Sequence, residues 1–199
     1  METALRRAHV IEAAAAEFAE KGFNGAQVGE IATRAEVSLG SVYAMFEAKE
    51  GLFQAVIEGA AESIRETVRA KVEAIPDPQE RLLALVDSLF ACFSDNEDLL
   101  RIYSRATHGL PWRIRQSMGD RAQVIFAGFT GWVRELAMEA TAAGPLEGVD
   151  ADALALMLIG SVTTAAAAVA EGTTKQPLDS LARDVRRIFE RLIQVETTS

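Results

Sequence analysis

Cysteine occurs once in this chain of 199 residues, at Cys92, so no internal disulfide can form. That suits a reducing compartment, and the expected location is the cytoplasm. Histidine occurs twice, at His9 and His108. Neither follows a glutamate by three positions, so the Glu-x-x-His pattern of a di-iron helical bundle is missing. The His-Glu-x-x-His zinc motif, the phosphate loop and the Gly-x-Gly-x-x-Gly fingerprint are missing too. No cofactor, metal site or catalytic residue is therefore expected. Cys92 lies beside Phe90 and Phe93 and reads as a buried, inert thiol, and His9 reads as a surface or satisfied polar residue. Strand signals, internal repeats and low-complexity tracts are absent as well. An all-α fold of about nine helices is the expectation.

Positive charge is in short supply. Twenty Lys and Arg face 29 Asp and Glu, for a formal net charge of −9. The first 50 residues hold five basic side chains (Arg6, Arg7, Lys21, Arg34, Lys49) against eight acidic ones. A simple electrostatic nucleic-acid binder is excluded by that balance, although placed cations and helix N-termini can still meet phosphates. One stretch without charge, ALALMLIGSVTTAAAAVA at 153–170, just reaches the lower length for a spanning helix. Its small and hydroxylated residues, and the acidic Asp150, Asp152 and Glu171 around it, favour a buried helix, so no membrane partner is expected. The opening METALRRAHVIEAAAAEF is broken by charge and reads as an amphipathic helix rather than a signal peptide.

The richest stretch is 28–52, VGEIATRAEVSLGSVYAMFEAKEGL. Val28, Ile31, Ala32 and Ala35 repeat at helical spacing, and Val42 with Phe46 repeats at i, i+4, with Val37 in the turn between. Two short helices with facing apolar sides follow from this, the arrangement of a helix-turn-helix. The opposite face of the second helix carries Ser38, Leu39, Gly40, Ser41 and Ala44, all able to come near base edges in a major groove. Tyr43 and Lys49 flank it as donors for phosphate oxygens, and Gln27, Val28 and Arg34 stand at the ends of the first motif helix.

The segment from about Arg6 to Phe53 resembles the tetracycline-repressor (TetR) family of bacterial transcription regulators. Ala14, Phe18, Gly22, Phe23, Val28, Ile31, Ala32, Ala35 and the run V-S-x-G-S-V-Y-x-x-F-x-x-K-x-x-L at 37–52 carry the resemblance. It implies a dimeric, all-helical, ligand-responsive DNA-binding protein. Glu36 stands where the family often has a turn glycine, Ala26–Gln27 where a capping threonine is common, and Ala44–Met45 where larger aromatic or polar residues are common. The expected domains are 1–47 for DNA binding and 48–199 for ligand binding and dimerisation.

Along the rest of the chain, Lys21-Gly22 stops the first helix. A helix at about 48–74 links the two domains. Asp77, Pro78 and Glu80 make a strong start for a helix at 78–94. Helices at about 97–107, 112–142, 150–171 and 178–195 follow, separated by Ser94–Asn96, Gly109-Leu110-Pro111 and Gly144-Pro145. The last two helices are expected to form a homodimer seam. The 150–171 helix is apolar nearly all round, and Leu181, Val185, Ile188, Leu192 and Val195 form a stripe on the other.

Phe90, Phe93, Tyr103, Trp112, Phe126, Phe129 and Trp132 crowd 90–132. They read either as core or as the lining of a pocket for an apolar or aromatic small molecule, with Leu89, Phe93, Tyr103, His108, Trp112, Met118, Ile125, Phe129, Trp132 and Met157 as its candidate residues. Arg101, Arg105, Arg113, Arg115 and Arg121 read as a solvated face or as partners for a ligand carboxylate. The favoured function is a ligand-responsive repressor on a palindromic double-stranded DNA operator. The alternatives are a helical small-molecule-binding protein with a vestigial DNA motif and, with least support, an all-helical enzyme.

Overall fold

The computed structural model describes residues 2–107 and 119–193. Its elements among those residues are nine α-helices and no strand. They are α1 (Glu2–Gly25), α2 (Val28–Arg34), α3 (Leu39–Phe46), α4 (Lys49–Glu73), α5 (Pro78–Ser94), α6 (Glu97–Thr107), α7 (Gly119–Thr141), α8 (Ala151–Ala170) and α9 (Leu178–Ile193). One 3-10 turn, Gly144–Leu146, follows α7.

Local chemistry sets the breaks. Gly22 takes φ 69° and ψ 171°, so α1 kinks there, just beyond the stretch that buries Val10, Ala14 and Phe18. Ser38 caps α3 by accepting the Ser41 N–H at 3.1 Å, while Gln27 caps α2 without a side-chain bond. Asp77 accepts the N–H groups of Gln79 and Glu80 at 2.9 and 2.8 Å, with Pro78 at the first helical position, and this fixes the start of α5. Asp150 accepts the Ala153 N–H at 2.8 Å and does the same for α8.

Burial divides into two cores. The N-terminal one joins α1, α2 and α3 through Val10, Phe18, Ile31, Val42 and Phe46, and takes in Leu52, Ala55, Val56 and Ile57 from the first half of α4. Ile102 of α6 belongs to it as well. The second core gathers Val68 and Val72 from the far half of α4 with α5 to α9. At 25 residues, α4 is about 37 Å long and roots in both.

Helix α8 is long and apolar enough to cross a membrane by composition. In the fold it packs into the C-terminal core, with Leu154, Leu158, Val162 and Ala166 buried. Leu156 and Met157 on its other side are 73% and 55% exposed. The apolar stripe expected on α9 splits in two. Leu178, Ala182, Val185 and Phe189 pack inward, whereas Ile188 and Leu192 remain exposed.

Candidate nucleic-acid interface and apolar cavity

The turn between α2 and α3 is closed by the Val37 N–H on the Ala32 carbonyl at 3.0 Å. Glu36 within it has φ 56°, the left-handed backbone that a glycine would adopt without strain. Val42 and Phe46 anchor α3 in the core, and the other side of the helix faces out. Ser38, Leu39, Gly40, Ser41 and Ala44 are exposed, and Tyr43 is 44% exposed. Gln27 is exposed at the start of α2.

Three expected contact residues sit differently from the sequence reading. Val28 is buried in the N-terminal core, so its side chain reaches no partner, because the same position that starts α2 also begins its apolar face. Arg34 does not stand alone as a phosphate donor: its guanidinium lies 3.8 Å from a Glu17 carboxylate oxygen and 3.6 Å from Glu20. Lys49 donates to the Asn24 carbonyl at 3.5 Å and lies 5.0 Å from the Phe23 ring centre, holding the α1 end against the start of α4.

Glu17 is the buried charge of this half. It is 1% exposed, pairs with Lys21 at 2.8 Å and accepts the Gln27 N–H at 3.3 Å. Burial pushes its carboxyl upward, but the Lys21 hydrogen bond, the Gln27 N–H and the charges of Lys21 and Arg34 outweigh it and hold the group below its ordinary value. One carboxylate thus ties α1 to both ends of α2.

A further close approach fixes α3 on α4. Glu47 between them has φ 61° and ψ −51°, and the Ala48 N–H returns to the Phe46 carbonyl at 2.6 Å, a γ-turn. A Cβ on Gly51 would overlap the Phe46 carbonyl oxygen, so only glycine lets α4 start there.

The second site is a cavity of about 110 Å³ bounded by α4, α5, α6, α7 and α8. Leu89, Phe93, Tyr103, Ile125 and Phe129 line it, as the aromatic clustering suggests. Trp132 does not: it is buried in the core, with the Arg69 guanidinium 5.2 Å from its ring centre. Met157 is on the exposed side of α8, two residues and so about 200° of helix rotation from the lining Ile159. His108, Trp112 and Met118 lie outside the described residues, as do Arg113 and Arg115. Of the remaining arginines, Arg101 pairs with Glu97 at 2.5 Å and Arg121 with Glu58 of α4 at 3.7 Å.

The sequence reading missed one whole wall. Ile57, Ala60, Ala61 and Ile64 line the cavity from α4 at i, i+3, i+4, i+7 spacing. Leu99, Ile102, Phe126, Ile159, Val162 and Thr163 complete it. Tyr103 and Thr163 are the lining residues that carry hydroxyls, and that of Thr163 donates to the Gly160 carbonyl at 3.3 Å. Two wall residues, Ile57 and Ile102, are also buried in the N-terminal core, and Tyr103 and Phe126 pack against it.

A capped second helix, held by a buried first helix and presenting a small-residue outer face, defines a helix-turn-helix domain of the DNA-binding type. Residues 10–56 match the family model described as bacterial regulatory proteins, tetR family. Over those residues the chain resembles that family. The HTH-type transcriptional regulator BetI of Escherichia coli is 33% identical over 88 residues, 43% of this chain and 45% of BetI. The chain spans about half the length of the curated relatives it matches.

Solved structures share the whole fold. The transcriptional regulator FadR of Bacillus subtilis, solved with stearoyl-CoA, has TM-score 0.76 at 22% identity, covering 94% of this chain and 97% of that one. AibR, solved with isovaleryl coenzyme A and operator DNA, has TM-score 0.72 at 18% identity, covering 92% and 97%. These proteins are regulators rather than enzymes.

Proposed function

We propose that this chain is a homodimeric transcription repressor, located in the cytoplasm, that leaves its DNA operator when a largely apolar small molecule fills the cavity. The observation that carries the reading is the pair Ile57 and Ile102, which line the cavity and pack in the DNA-binding core at once. An occupant that displaces them strains both places. It moves α4, to which α3 is fixed through Gly51, and α6, which packs on α1. A coupling of about 1–3 kcal/mol between the two sites corresponds to a 5- to 150-fold change in affinity.

The apolar lining suits an acyl chain, and the acyl-coenzyme A thioesters bound by FadR and AibR support that class of effector. Residues 1–47 would read DNA through Gln27, Ser38, Leu39, Gly40, Ser41, Tyr43 and Ala44, with Lys49 beside them at the start of α4, and 48–199 would bind effector and pair the chains. Leu156, Met157, Ile188 and Leu192 supply an exposed apolar face on α8 and α9 for that pairing. A two-fold dimer would read a palindrome with half-sites about 34–36 Å apart.

Fluorescence anisotropy on the promoter beside the chain's own gene tests this. Binding well above that to scrambled DNA at the same salt is expected; equal binding to both ends the proposal. A second reading, an effector-binding protein with a vestigial DNA motif, draws on the capture of Arg34 by Glu17 and Glu20, and predicts acyl-coenzyme A binding with no DNA affinity.

A further inference from the structure

The outward side of α3 is nearly devoid of side chains that read bases by hydrogen bonds. Guanine edges are read by Arg or Lys and adenine edges by Asn or Gln. The helix LGSVYAMF contains none of the four. With Val42 turned inward, Gly40 and Ala44 stand on the opposite crest, and Ser41 and Tyr43 lie on its flanks. Leu39 opens the helix at 46% exposure. Ser41 is already engaged. Its Oγ is 2.8 Å from the Ser38 Oγ, and its N–H donates to the same atom.

Resting on the DNA-binding reading above, we infer that α3 recognises thymine by its C5-methyl group, through apolar contact with Leu39 and Ala44. The thymine methyl is the apolar feature of the major-groove edge. The first residues of a recognition helix are those that reach base edges, which places Leu39 where it must contact something. Gly40 keeps the crest low: a Cβ there would meet only the Ser38 Oγ, at 3.9 Å. The backbone can therefore approach the groove floor, and short apolar groups suffice to touch a methyl. Tyr43, on the flank, is left for phosphate. Leu39 thus sets specificity, while Tyr43 and Lys49 contribute affinity that does not depend on sequence.

The test uses the full chain and the tightest duplex it selects from a random-sequence library. That duplex is remade with deoxyuridine for thymine at one position at a time, which deletes only the methyl. Affinity is expected to fall about fourfold at the contacted positions, equivalent to ~0.8 kcal/mol per methyl. In the Leu39→Ala variant, whose folding is checked by its melting temperature, the thymine and deoxyuridine duplexes should bind alike at the position Leu39 touches. Replacing purines by their 7-deaza analogues, which lack the N7 acceptor, should matter less than losing the methyls. If replacing every thymine leaves affinity unchanged while the duplex is still preferred over scrambled DNA, the inference falls and DNA binding stands. If no duplex is enriched, both fall.

Discussion

Glu17 of α1 and Arg34 of α2 face each other at 3.8 Å, the carboxylate buried and the guanidinium half in water. The same carboxylate holds Lys21 and the first N–H before α2. The tilt of the helix-turn-helix on α1 therefore depends on one charge. The Glu17→Gln variant keeps the shape and loses the charge-assisted bonds, at a cost of ~1–3 kcal/mol. Because the folded carboxyl lies below its ordinary value near 4.5, its contribution is present above that pH and is lost as pH falls through the folded value. Thermal denaturation at several pH values should show wild type and Glu17→Gln separated at pH 7 and converging below about pH 4.5. A constant gap down to pH 3 would show that the charge is not the cause.

Gly51 sets the junction of α3 with α4. In Gly51→Ala the new methyl overlaps the Phe46 carbonyl, so α4 must move or unwind its first turn, and about 1–3 kcal/mol of stability is lost. DNA affinity should fall at temperatures where circular dichroism still reports a folded chain. Unchanged affinity in the folded variant would mean that the recognition helix is not referenced to α4 in this way.

The cavity can be filled without touching α3. Ala61→Leu adds volume from the α4 wall into a space of about 110 Å³. The variant should lose affinity for long-chain acyl-coenzyme A by at least about tenfold while DNA binding persists. Isothermal titration calorimetry with stearoyl-CoA reads the first effect and anisotropy the second. Undiminished thioester binding would place the effector elsewhere.

Pairing of chains is tested by charge on the exposed apolar face. Leu156→Asp combined with Ile188→Asp alters side chains that are 73% and 57% exposed, so the monomer fold should survive. Sedimentation equilibrium should show a dimer for the parent and a monomer for the variant, with operator affinity lost alongside. A dimeric variant would move the seam away from α8 and α9.

Legibility in the sequence followed side-chain type. The cap at Asp77, the stop at Gly22 and the inward pair Val42 and Phe46 are local signals, readable from residue chemistry and spacing. The cavity was half readable, because Phe93, Tyr103 and Phe129 announce bulk but not the space beside it. Its α4 wall includes Ala60 and Ala61, which signal by what they fail to fill. Trp132 illustrates the converse, since an aromatic that packs beside a cavity looks the same in sequence as one that lines it. The role of Glu17 was hidden for another reason: beyond its i+4 neighbour Lys21, its partners Gln27 and Arg34 reach it only once the turn at Gly22 has folded α2 back against α1.

In the proposed regulator the cavity and the recognition helix are coupled through Ile57 and Ile102. The most direct measurement is operator affinity by anisotropy, with and without saturating stearoyl-CoA, for the parent chain and for Ile102→Ala. Saturation is verified by calorimetry in each case. A loss of affinity of about 5- to 150-fold is expected in the parent and a clearly smaller one in Ile102→Ala, with the thioester bound to both. Equal DNA affinity in the free and loaded parent chain would contradict it.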